Sequence, residues 1–412
     1  METMLDNKPP FDAAAEQEIA EYFASARLRR SPWEFCRGLR ERAPIYYSRT
    51  RKMWIVTGFR LVEEVLRSPK AQLKFHQRMD AVRPGWRDHP SSANQIPFIA
   101  FADGDDHTRL RRPLNPAWTP KALERFRPMI RQVAQGLVDD FVKAGGGGFS
   151  NALAYPLAER VIYHLFALDS AGLPDARALV DTMLLTWEYD IDADGLARAD
   201  AAAVEHRRFW QAEIDRRAAD PSGEDMLSQL LRDDSFTTPE VAEIAESLFL
   251  AGFGSTAVTA TTGMWILLQH PDQMALAREQ PAMMQRLPEE LLRLASAVPM
   301  TLRVAADDLA IGGFSIKAGE LIGVVLGAAN RDPEAFADPE RLDLSRPPAR
   351  SLAFSYGVHA CLGQWLARIE LFELYNALLS STDGIRVLNE PQFRDRQSSR
   401  GIEELVLGVT AA

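Results

Sequence analysis

Residues 247–269 carry no charged side chain, and a run of that length has two destinations. A membrane span needs about 20 predominantly apolar residues. The alternative is a helix buried on all sides, which requires a large soluble protein around it. Ser247, Gly252, Gly254 and Ser255 dilute the run, as do the threonines downstream, and the chain offers neither a second such segment nor a basic flank. A buried central helix is therefore expected, with no membrane partner. At 412 residues, 46% of them hydrophobic, the chain has enough material for the surrounding shell.

The 57 acidic residues outnumber the 47 basic ones, for a formal charge of -10. That balance opposes the broad basic footprint that neutralises phosphates, so no nucleic-acid partner is expected. Only Cys36 and Cys361 occur, too few for a disulfide framework and suited to a reducing compartment. The opening Met-Glu-Thr-Met-Leu-Asp-Asn-Lys-Pro-Pro lacks the basic and apolar regions of a signal peptide, so a cytoplasmic location is expected.

Periodicity predicts a helix over residues 31–42, strands over 45–47 and 53–56 joined as a hairpin, and a helix over 61–67. Residues 80–106, rich in proline, glycine and small polar residues, read as a long irregular loop. Helical patterns dominate 107–294, with loops at the glycine run 145–148 and at 220–223. Strand-like pieces follow at 312–316 and 321–326, then an irregular stretch at 332–348. A last long helix starts just after Cys361.

The strongest chemical signal is Phe354-Ser355-Tyr356-Gly357-Val358-His359-Ala360-Cys361-Leu362-Gly363. A cysteine where a glycine-bearing loop enters a helix meets unpaired N–H groups and the positive end of the macrodipole, which favour a thiolate. Gly357 permits a tight turn, and Gly363 permits close backbone approach to the sulfur or to a flat cofactor. Alone, such a cysteine reads as a buried, inert thiol. Glu290 and Arg293 stand three apart on one helical face, which by itself is an ordinary surface ion pair. His107 and Arg111, four apart, are suited to gripping carboxylates, or belong simply to a charged first turn. Gly252 and Gly254 inside the apolar helix would cost about 1 kcal/mol each relative to alanine unless a groove or a bulge requires them.

Together these residues resemble the cytochrome P450 family in its soluble bacterial form, and the resemblance covers nearly the whole chain. The cysteine loop, Glu290 with Arg293, Pro299, the run Ala329-Asn330-Arg331-Asp332-Pro333, and Asp106 to Arg111 followed by Asn115-Pro116-Ala117 stand in family order. The resemblance implies a mainly α fold, a triangular helical prism with a small β-rich region, as a single domain over residues 1–412. It implies haem b, with Cys361 as the iron ligand and His107, Arg111, Arg303 and His359 on the propionates, while Phe354 and Gly363 flank the ring. Glu290 and Arg293 would form a structural network behind the haem, with Arg341 or Arg346.

The implied activity is that of a monooxygenase, inserting one atom of O2 into a small hydrophobic or aromatic molecule. Because the chain ends at Ala412 without a flavin or iron–sulfur module, electrons are expected from a separate ferredoxin and ferredoxin reductase, with the enzyme a monomer. Arg109 and Arg112, with Lys121, Arg350 and Arg368, are candidates for the docking patch. The substrate pocket is expected near Ile96, Pro97, Phe98, Trp187, Tyr189, Leu250, Ala251, Thr301 and Leu302. Two positions depart from the family pattern. Ser355 replaces a glycine of the loop. Gly254 and Ser255 stand where the central helix usually has an acid followed by threonine, leaving Ser255, Thr256 and bound water to relay protons. Gly254 also keeps open a peroxide-using or non-oxygenase haem-thiolate enzyme, and a haem sensor without turnover is the reading from another class.

Overall fold

The structure, a computed structural model, describes residues 8–25, 28, 30–169, 175–188 and 190–412. Tyr189 and the first seven residues of the opening segment thus lie outside the described residues. The chain forms two compact units, each from three stretches of sequence. One comprises Met1–Arg78, Thr262–Cys361 and Gln392–Glu403; the other comprises Met79–Thr261, Leu362–Pro391 and Glu404–Ala412. The whole is helix-rich with small sheets, as the resemblance implies.

In the first unit, Ile45–Ser48 and Met53–Val56 form the expected hairpin, with Ile45 opposite Val56 and Ser48 opposite Met53. Met53–Val56 is buried at every position, and Leu321–Val324 runs parallel to it. Thr301–Ala305 and then Ala71–Gln72 complete a five-stranded sheet. β-branched and aromatic residues suit such two-sided burial. Trp54, Val56, Ile322 and Val324 pack with Val62 and Val65 of the helix Phe59–Arg67. The strand expected at 312–316 is instead a turn and half a hairpin. Gly312 and Gly313 both take positive φ, 55° and 84°, and join Leu309–Ile311 to Phe314–Ile316. Two successive left-handed residues make a tight hairpin turn rather than extended backbone.

The helix Thr238–Leu268, most of it in the second unit, contains all but the last residue of the uncharged run, and 72% of an 18-residue apolar window in it is buried. That is the environment of a core helix. Phe249 packs against Trp210 at 5.4 Å and Tyr163 at 6.0 Å between ring centres, and Phe253 packs against Tyr155 at 5.8 Å. Glu246, one turn earlier and fully buried, faces Arg207 Nε and lies 3.5 Å from His206 Nδ1. This face of the helix is thus held by both aromatic packing and charge.

Two expectations about loops are corrected. Gly146–Gly148 is a strand, paired with Val406–Ala411, which pairs in turn with Thr382–Val387. A Cβ on Gly146 would sit 2.1 Å from the Leu407 carbonyl oxygen, so this close pairing needs a bare backbone. Residues 80–106 are not irregular either, for they contain the short helices Trp86–Asp88, Pro90–Ala93 and Ile99–Phe101. Tertiary bonds fix them. Asp200 accepts from the Ser91 amide at 3.0 Å and hydroxyl at 2.5 Å, and lies 2.7 Å from His89 Nδ1; Arg83 donates to the Glu188 carbonyl at 3.0 Å.

Candidate active site

In the first unit the cysteine loop closes on itself. The Cys361 amide donates to the Phe354 carbonyl at 2.9 Å, and the Ala360 amide to the Gly357 carbonyl at 3.1 Å across the turn Gly357–His359. Gly357 has φ 75°, and a Cβ there would lie 2.4 Å from the Leu66 carbonyl oxygen, so no other residue fits. Tyr356 is flanked by two guanidiniums, Arg350 at 3.9 Å and Arg67 at 4.9 Å from its ring, and both arginines also reach Glu63. Ser355 adopts φ 60° with its hydroxyl oxygen buried and unpartnered among the described residues.

Cys361 itself is exposed, three residues before the helix Gln364–Ser380. Cys36, in contrast, is buried, and burial pushes its thiol up to about 12, so it stays protonated and inert. The two cysteines thus differ in access: Cys36 is enclosed and Cys361 is exposed.

Behind the loop, Arg293 grips Glu290 through two parallel bonds, Nε to Oε1 at 2.8 Å and Nη2 to Oε2 at 2.9 Å. The arginine also donates to the carbonyls of Asn330 at 3.1 Å, Pro339 at 2.5 Å and Arg341 at 2.9 Å. Arg346 supplies the third side chain, its Nε 3.3 Å from Glu290 Oε2. Arg341 contributes only its carbonyl, because its guanidinium turns to Asp272 at 3.2 Å. Thr301, Leu302 and Arg303 share one strand. Arg303 is buried and donates to the Thr301 hydroxyl and the Leu302 carbonyl, both at 2.9 Å. His359 is half-buried on the turn before Cys361.

In the second unit, the helix Gly104–Leu114 carries a buried His107 and a half-buried Arg111 on one face, as their spacing predicts. Arg111 Nε donates to Asn115 Oδ1 at 3.0 Å. Arg109 is bound to Glu240 at 2.6 Å, which ties it to the central helix and weakens its case as a docking residue. Among the described residues, Trp118 is buried with its indole N–H unpartnered, and its ring is the nearest contact of Gly363, 3.7 Å from where a Cβ would stand.

Ala251 and Gly252 are exposed midway along a mostly buried helix. A Cβ on Gly254 would meet, among the described residues, only Leu184 at 4.0 Å, so the missing acid leaves open space. Ser255 donates its hydroxyl to the Ala251 carbonyl at 2.9 Å, which leaves the oxygen's lone pairs to accept from water or ligand. Thr256, the next position, is half-buried. Of the expected pocket residues here, Phe98 and Leu250 are buried, Ile96 is exposed and Trp187 is half-buried. Sequence reasoning missed Leu184 and Gln95, since neither belongs to a motif. Their importance lies in what they touch.

A family model described as cytochrome P450 matches residues 196–382. The biotin biosynthesis cytochrome P450 of Bacillus subtilis is 30% identical over 393 residues, covering 94% of this chain and 98% of that protein. The 6-deoxyerythronolide B hydroxylase of Saccharopolyspora erythraea is 30% identical over 386 residues, covering 89% and 93%. Among solved structures, P450BioI in complex with a hexadec-9Z-enoic acid ligated acyl carrier protein superposes with a TM-score of 0.87 at 29% identity, covering 93% of this chain and all of that one. A myxobacterial P450, CYP267B1, in complex with myristic acid gives 0.85 at 27% identity, with 94% and 98% covered.

Proposed function

Since this chain belongs to the cytochrome P450 family of haem-iron monooxygenases, we propose that it inserts one oxygen atom from O2 into a small hydrophobic or aromatic substrate. The observation that carries the reading is the exposed Cys361 on a loop closed by its own amide, beside a helix start. The residues present fit haem b. They offer an exposed thiol for iron, imidazole and guanidinium donors for two carboxylates, and an open position at Gly254 on the central helix.

When bound, haem supplies the iron at which dioxygen is activated. Cys361 would hold that iron as a thiolate, with His107, Arg111, Arg303 and His359 on the propionates and Phe354 and Gly363 against the ring. Ser255 and Thr256 would hold the water that delivers protons in place of an acid at Gly254. Ile96, Phe98, Trp187, Leu250, Ala251, Thr301 and Leu302 would shape the substrate pocket, where apolar walls exclude bulk water. Residues 1–412 would function as one P450 domain. The enzyme would act as a cytoplasmic monomer reduced by a ferredoxin and its reductase. Two neighbours bind fatty-acyl ligands, so an extended acyl chain is the substrate class that competes with an aromatic one.

The reduced protein under carbon monoxide should show the red-shifted Soret band of thiolate ligation, and Cys361→Ser should lose it. A band that survives the substitution would end this reading. Gly254 favours a second one, peroxide use or non-oxygenase chemistry, because no side chain at that position can hand on a proton. Product formed with peroxide but never with O2, NAD(P)H and surrogate redox partners would establish it.

A further inference from the structure

Gln95 is buried, and every polar atom of its amide is engaged. Nε2 donates to the Ser91 carbonyl at 2.6 Å and to the Thr186 hydroxyl at 2.9 Å, and Oε1 accepts from the Trp187 indole N–H at 2.8 Å. Thr186 passes its own proton to the Met183 carbonyl at 3.1 Å, so the amide has one orientation that satisfies all partners. Phe101 meets Trp187 edge-on, at 6.1 Å and 86°. Phe98 in turn stacks on Phe101 at 6.5 Å and 11°. The adjoining residue is fastened too, since Arg207 donates to the Asn94 carbonyl at 2.8 Å.

Trp187 ends the 3-10 helix Leu184–Trp187, in which side chains three apart eclipse one another. It therefore projects on the same side as Leu184, whose Cδ1 faces the open position at Gly254. That position and Ala251, three residues earlier and exposed, share one face of the central helix, and the indole stands on the side of the 3-10 helix from which Leu184 meets it. A fixed indole on the side that faces an open helical position is suited to a flat, rigid molecule.

Resting on the monooxygenase reading, we propose that Gln95 is a positioning residue for substrate recognition. By fixing the plane of the Trp187 indole it selects planar aromatic substrates over extended acyl chains. A ring gains from a fixed aromatic wall through stacking or edge contacts, which require a set orientation. A flexible chain packs against the same wall at any tilt.

The test uses the ferric holoenzyme, with biphenyl and myristic acid as probes titrated by the Soret shift. Gln95→Leu and Trp187→Phe, which remove the two ends of one hydrogen bond, should each weaken biphenyl about five- to tenfold. The double variant should be no weaker than either single one, because both act through that bond. Myristic acid should move less than about twofold in all three. Equal losses for both probes would reduce Gln95 to a structural residue and overturn the proposal. So would additive effects, unchanged biphenyl binding, or a wild-type enzyme that binds myristic acid and not biphenyl. If Gln95→Leu fails to retain haem, Trp187→Phe carries the comparison of probes. A wild-type protein without the thiolate Soret band under carbon monoxide would instead be a failure of the monooxygenase reading.

Discussion

Arg293 donates to the backbone carbonyl of Asn330 at 3.1 Å, while the side-chain oxygen of Asn330 accepts from the Leu352 amide at 2.6 Å at the start of the cysteine loop. The ion pair with Glu290 is therefore joined to the loop by two bonds and a single intervening residue. Removing one partner of a buried pair typically costs about 3–5 kcal/mol. Glu290→Ala should give little haem-loaded protein, measured as the Soret to protein absorbance ratio. A variant that loads haem normally and loses only turnover would contradict the structural assignment.

Ser355 occupies a left-handed backbone conformation and buries a hydroxyl oxygen without a partner among the described residues. Glycine would relieve both, against a modest gain in unfolded-chain entropy. Ser355→Gly should stabilise the protein by about 1 kcal/mol in urea unfolding, with the haem spectrum unchanged. A lowered urea midpoint would show that the serine has a role of its own.

Glu370, in the helix Gln364–Ser380, is buried with one carboxyl oxygen unpartnered among the described residues, and burial pushes it up to about 8 from the ordinary 4.5. Below pH 4.5 the folded and unfolded chains both hold the proton and the residue is neutral in its effect. Between 4.5 and 8 only the unfolded chain releases it, so the folded state loses stability as pH rises, and above 8 the penalty is complete. Glu370→Gln should match the wild type near pH 4.5 and exceed it at pH 8 by on the order of a few kcal/mol. Melting curves at the two pH values would show this, and a difference independent of pH would contradict it.

Proton delivery should depend on Ser255, the hydroxyl retained beside the bare Gly254. Ser255→Ala should increase the fraction of NAD(P)H electrons released as peroxide, most with poorly fitting substrates. Gly254→Asp has space for its side chain and should improve coupling, within the roughly 10²–10⁴-fold value of general acid catalysis. Coupling that is efficient and unaffected by either change, measured as product per NAD(P)H, would place the proton route elsewhere.

Arg112 is exposed, whereas Arg109 is bound to Glu240. Arg112→Glu should slow reduction by an acidic ferredoxin, with an effect that fades as salt screens charges beyond about 8 Å. Reduction rates indifferent to both salt and this substitution would remove the residue from the docking face.

The cysteine loop, the hairpin, the buried central helix and the Glu290 pair were legible because each is written in contiguous residues or a short spacing. The rest depends on distant partners. Gly146–Gly148 becomes a strand only because Val406–Ala411 returns to pair with it. The short helices after Val82 are set by Asp200, Glu188 and Thr186, far along the chain. The choice of Arg346 over Arg341 rests on where Asp272 sits. Gln95 had no pattern to announce it, since a glutamine gains its role only from the three groups it meets.

The central helix is held through Glu246, Phe249 and Phe253 on one face, while on another Ala251 is exposed and the position at Gly254 has room for a side chain. Its tolerance to mutation should differ sharply around its circumference. Laboratory evolution could diversify Ala251 and Gly254 at little cost to folding and so change which molecules are accepted. At Gly252 a Cβ already comes within 3.3 Å of Ile162, which limits the range there. One or two residues away, at Phe249 or Phe253, the same library would return mostly unfolded protein. The helix separates the capacity to acquire new substrates from the capacity to fold, within a few residues of one another.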